Sequence, residues 1–110
     1  MLLLITKKAT PEQIKQAAED FDSYFIKVVV DLEKEILTAG GQRHFDGEQL
    51  LLEAGSLQEN LWGGGIEVTT KAIDYNSMIN IRPRQDNPSK DILSQDIRKK
   101  FDTIVKKLLI

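Results

Sequence analysis

Cysteine is absent from this chain, histidine and tryptophan occur once each, and only three of its 110 residues are proline. Without cysteine there is no disulfide scaffold, no thiol nucleophile, and no thiolate site for zinc or an iron–sulfur cluster. Long apolar runs are also missing. The longest at the start, Met1-Leu2-Leu3-Leu4-Ile5, is too short for a signal-peptide core, and Lys7-Lys8 follow it where a leader would place them in front. No other run approaches the roughly 20 apolar residues that cross a bilayer. The expectation is a soluble, cytoplasmic protein with no membrane partner. Nucleotide-loop chemistry is disfavoured as well. Gly63-Gly64-Gly65 lacks the GxGxxG spacing, and no P-loop lysine follows it. Neither a nucleophile elbow nor a kinase signature is present.

What remains is a globular composition, 41% hydrophobic and 29% charged, of a size for one domain spanning 1–110. The net charge of −2 is unevenly distributed. Residues 1–81 carry seven basic and thirteen acidic side chains, whereas residues 82–110 carry eight basic and four acidic. A basic closing helix on an acidic body explains this without a polyanionic partner, and a pI near 5.4 makes nucleic acid an improbable one.

Thr10, Pro11 and Gln13 form a helix start with a capping box, and Ile14, Ala17, Ala18 and Phe21 give the helix one apolar stripe. Tyr24–Val30 is β-branched and aromatic and reads as a strand, with a return strand at Glu35–Thr38. In 47–62 two readings compete. Leu50, Ala54, Leu57 and Leu61 suit a helix, but Ala54-Gly55-Ser56 looks like a hairpin turn between 49–53 and 57–62, and the hairpin is favoured. Gly63-Gly64-Gly65 reads as a flexible joint, 66–69 as a short strand, 71–76 as a turn, and 77–82 as a strand stopped by Pro83. Ser94 caps a last helix that buries Ile97, Phe101, Ile104, Val105, Leu108 and Leu109. The fold class is therefore α+β: an antiparallel meander of four to six strands with the N-terminal and C-terminal helices on one face.

Three strings could carry chemistry. In an extended backbone, His44, Asp46 and Glu48 share one face, as a weak metal set or an acid/base pair. The competing reading has Asp46 capping a turn and His44 bonded to backbone. On a strand, Asn80 and Arg82 point opposite to Ile79 and Ile81 and lead into Arg84 and Asn87, an arrangement that can hold an anion or simply form a wet sheet face. Trp62 beside the glycines reads as a core anchor more readily than a substrate platform. No cofactor is expected.

The string from Ile26 to Asp31, Gly40-Gly41, His44-x-Asp46-x-Glu48, Leu52-Glu53, Gly55-Ser56-x-Gln58, Leu61-Trp62-Gly63 and Ile79-Asn80-Ile81-Arg82-Pro83-Arg84-Gln85-x-Asn87-x-Ser89 resembles an uncharacterised bacterial and archaeal domain family of unknown function. The likeness spans about residues 2–110. It implies a single domain and marks Asp31, His44, Asp46, Glu48, Gln58, Asn80, Arg82 and Asn87 as polar positions without assigning them roles. Where the family has a non-glycine, often aromatic, segment after Trp-Gly, this chain has Gly64-Gly65.

Three functional expectations follow. The first is a small ligand-binding or protein-interaction module that could self-associate into a homo-oligomer. The second is a hydrolase or phosphate-handling enzyme using His44, Asp46 and Glu48 with Arg82. The third is nucleic-acid binding through the basic end. The second requires His44 and Arg82 to line one cleft.

Overall fold

The computed structural model describes residues 1–110. Strands β1 (Leu3–Ile5), β2 (Phe25–Asp31), β3 (Ile36–Ala39), β4 (Leu61–Glu67) and β5 (Ile73–Asp74) form one sheet, antiparallel throughout, in the order β1-β3-β2-β4-β5. Helices α1 (Pro11–Ala18), α2 (His44–Glu53) and α3 (Gln95–Leu109) cover it.

Strand alternation separates the two faces. Ile26, Val28 and Val30 of β2 share the main core with Trp62 and Ile66 of β4, Ala17 and Ala18 of α1, and Phe101, Ile104, Val105 and Leu108 of α3. The terminal helices thus lie on one face, as the sequence implies. Thr10 and Gln13 form the expected capping box, and Ser94 accepts from the Ile97 N–H. Tyr75 ties the segment after β5 to α3, donating to Asp102 at 2.6 Å with its ring edge on Phe101. On the opposite face Val29 packs with Leu51 of α2 and Leu61 of β4.

Four expectations are corrected. Residues 44–53 form a helix, not the first arm of a hairpin, and Ala54-Gly55-Ser56 ends it. Gly55 is left-handed at φ +101°, the Ser56 N–H reaches Leu51 O at 2.9 Å, and the Gly55 N–H reaches Leu52 O at 3.1 Å, a Schellman closure. One glycine signal serves both a hairpin and a helix stop, which is why the spacing misleads.

The triple glycine is the buried middle of β4, not a joint. Each glycine admits a neighbour that an added Cβ would strike: the Ser77 side chain at Gly63, the Asp74 carbonyl at Gly64, and the Phe25 ring at Gly65. Residues 77–82 are not a strand. Ser77 caps a 3-10 turn at Met78–Asn80 through the Ile79 N–H, and a second such turn covers Pro83–Gln85. Finally, the presumed turn at 71–76 contains the short edge strand β5.

Gly64→Ala should lower folding stability by about 3 kcal/mol, the upper end for overpacking, because the new methyl meets backbone and the Phe101 ring. Urea denaturation of the two proteins measures the difference.

Candidate functional site

Because 44–53 is helical, His44 and Glu48 lie one turn apart on the same side of α2, while Asp46 points elsewhere. The extended arrangement that would align all three is therefore overturned. Asp46 takes a two-point contact from Arg43, at 3.2 Å to Nε and 3.0 Å to Nη2. No three His, Asp or Glu side chains stand close enough to hold one metal ion.

Most of the polar residues singled out by sequence hold backbone. Asp31 accepts from the N–H groups of Glu33 and Lys34, both at 2.9 Å, and from the Ser56 hydroxyl at 2.6 Å, which fixes the β2–β3 turn. The Asn80 side chain acts as a missing strand. Its Oδ1 accepts from the Gly63 N–H at 2.8 Å and its Nδ2 donates to Gly63 O at 2.9 Å, with further contacts to the Tyr75 and Lys90 carbonyls. Asn87 donates to the carbonyls of Asn80, Ser89 and Asp91 and accepts from the Leu93 N–H.

Arg82 is only 9% exposed. Its Nε donates to Ile79 O, Nη1 to Gln58 O and Gln85 Oε1, and Nη2 to Leu61 O. Four of the five guanidinium N–H groups are thereby engaged. Glu48, 5% exposed, sits 4.0 Å from Nη2, and its Oε2 has no hydrogen-bond partner. The Trp62 ring lies beneath the guanidinium at 4.7 Å. Burial pushes the Arg82 pKa down, and Glu48 acts against that shift. Arg82, Gln58, Arg84 and Gln85 border an open cavity of about 420 Å³ together with Ile81 and Pro83.

His44 borders different space. Two adjoining cavities of about 270 Å³ each share His44, Lys27, Ser77 and Met78. The first adds Arg43, Phe45 and Ile79, and the second adds Phe25, Asp74, Asn76 and Lys90. His44 Nε2 lies 2.6 Å from Gly64 O. A carbonyl only accepts, so Nε2 carries the proton and Nδ1 keeps its lone pair. Nδ1 makes no hydrogen bond within the protein and is not sealed from solvent. Burial pushes the imidazole pKa below its ordinary range; the Gly64 carbonyl opposes this, Lys27 adds to it, and Asp74 opposes it. His44 and Arg82 therefore border separate cavities, and the cleft that would join them is not formed.

Sequence reasoning missed Lys27, Phe45, Ser77, Met78 and Asp74, and grouped Lys90 with the basic closing segment instead. One signal was available: Lys27 is the only charged residue among Phe25–Val30, a run otherwise fit for complete burial. The others lie on α2, on β5 and in the segment 77–90, whose mutual approach the sequence pattern does not specify.

The chain belongs to the family described as protein of unknown function (DUF5674), whose model matches residues 3–108. No curated protein and no solved structure matches it.

Arg82→Lys should destabilise the fold by about 3 kcal/mol, since one ammonium cannot serve this set of acceptors and buried carbonyls lose their donors. Glu48→Gln, which keeps the shape and loses no direct hydrogen bond, should cost less in the same denaturation assay. His44 adds a pH dependence. Above about pH 6.5 it is neutral whether the chain is folded or unfolded. As pH falls below that, the unfolded chain takes up the proton first, so stability drops until the folded state titrates too. His44→Gln should remove that part of the slope between neutral pH and the folded-state midpoint. The single histidine Cε1 proton should titrate below the ordinary range by NMR.

Proposed function

We propose that this domain is a small-ligand binding module of the cytoplasm, with the groove at His44 as its site. One observation carries the reading. At this groove several side chains of different character converge with hydrogen-bonding capacity left over, whereas the Asn80, Arg82 and Asn87 side chains are occupied by backbone. The walls suit a ligand rather than bulk water. Met78 is 66% exposed and Phe45 52%, so large apolar surfaces stand open at the rim. His44 is fixed by its hydrogen bond to the Gly64 carbonyl of β4, a strand held by β2 on one side and by Asn80 on the other.

The cytoplasmic location accords with the lack of cysteine, and no helix is long and apolar enough to cross a membrane. Pairing of copies through strand edges is the weaker reading, because the edge strands β1 and β5 have three and two residues.

Two-dimensional NMR of the isotope-labelled chain tests the proposal, using single-ring fragments of positive, neutral and negative charge. Shift changes should concentrate at Lys27, His44, Phe45, Ser77 and Met78. Changes confined to the Arg82–Arg84 cavity, or none with any fragment, would overturn it.

A further inference from the structure

We infer that the ligand of the His44 groove is an anion, a carboxylate or phosphate monoester carried on an apolar body about the size of one ring. This rests on the groove being a binding site and adds the chemistry of what it takes.

The charge at the groove is positive, and several of its donors remain open. Lys27 projects from β2, and its ammonium is anchored by one hydrogen bond to Gln42 O at 2.8 Å and by the Phe21 ring at 5.2 Å. Two of its three N–H groups are left, in a position already fixed by the protein. Lys90 stands across the groove, and neither lysine is in an ion pair with a carboxylate. The Ser77 oxygen accepts from the Ile79 N–H, which leaves its hydroxyl proton to donate. Arg43 is excluded from the count because Asp46 neutralises it.

On the accepting side the lining offers one carboxylate, Asp74, together with the Asn76 amide oxygen and the Nδ1 lone pair of His44. Two lysines face one carboxylate, so positive side chains outnumber negative ones. An acceptor-rich anion complements this lining and a cation does not. A metal ion is a poor match for the same reason, since no three ligating side chains gather here. Phe25, Phe45, Met78 and Ile79 supply apolar contact, and the two cavities of about 270 Å³ each set the scale of the body.

The test compares four probes sharing one ring: phenyl phosphate, benzoate, benzyl alcohol and benzylamine. Each is titrated into the labelled full-length chain at low salt and followed by NMR. The two anions should bind with shifts at Lys27, His44 and Ser77, and tighter than the neutral and cationic probes. Whichever anion binds tighter assigns the monoester or the carboxylate. Lys27→Gln should weaken anion binding about tenfold, the usual effect of losing a hydrogen bond to a charged group, and leave benzyl alcohol unaffected. Lys90→Gln, at an exposed position, should weaken it in the same direction without risk to the fold. If benzylamine or benzyl alcohol binds the groove as tightly as the anions, the anion assignment falls and the binding reading stands. If none of the four perturbs the groove, both fall.

Discussion

The far edge of β4 is closed by side chains, and the rest of the structure is arranged around that closure. β4 is seven residues long and pairs with β2 along its whole length, but β5 covers only Gly65 and Ile66 on the other side. The remaining outward rungs need partners, because a buried backbone amide or carbonyl left unpaired costs about as much as a lost hydrogen bond. At Gly63 the Asn80 amide provides both a donor and an acceptor, in the manner of a neighbouring strand. At Leu61 the Arg82 guanidinium provides the donor. Leu61, Gly63 and Gly65 are alternate residues, so three successive rungs on one edge are met by an arginine, an asparagine and a short strand.

This solution dictates the path of residues 75–93. Asn80 and Arg82 reach β4 only if the chain between them leaves extended geometry, which the two 3-10 turns achieve. Asn87 then draws the segment together, and the bridge between Arg82 and Asn87 closes it. The same turn delivers Ser77 and Met78 to the groove, beside His44. On the other flank, Gly47 lets α2 approach the sheet so closely that a Cβ there would lie 2.4 Å from Thr38 Oγ1. His44 is thereby brought within reach of the Gly64 carbonyl. The glycines of β4 and α2 therefore act as points of close contact, where the absence of a side chain lets another side chain in.

The sequence conveys elements whose cause is local and obscures those whose cause is distant. The α1 capping box, the Ser94 cap and the apolar stripe of α3 are legible because every participant lies within a few residues. The β2–β3 hairpin is legible for the same reason, and so is Trp62 as a core residue. Residues 77–82 mislead because Ile-Asn-Ile-Arg alternates as a strand does, while the force that bends it comes from β4, 17 residues away at Gly63. The triple glycine misleads because flexibility is a property of glycine in an open chain, not in a strand paired over its length. The polar strings could be found, but not their roles. Hydrogen-bond capacity is visible in a residue name; whether a backbone already occupies it is visible only in the fold.

That distinction separates the two halves of this surface chemically. Arg82 reads from sequence as an anion fork, yet four of its five N–H groups already meet carbonyl-type oxygens, and the fifth lies toward Glu48. An anion taken by the Arg82 guanidinium would have to displace backbone contacts that hold β4 in place, so each gain in binding would be offset by a loss in folding. At the groove no such conflict exists. Lys27 is anchored through a single donor, Ser77 through its acceptor, and His44 through Nε2, so each is held in place while another atom remains open. Side chains fixed through one atom and free at another give a site its geometry before the ligand arrives, which lowers the ordering cost of binding.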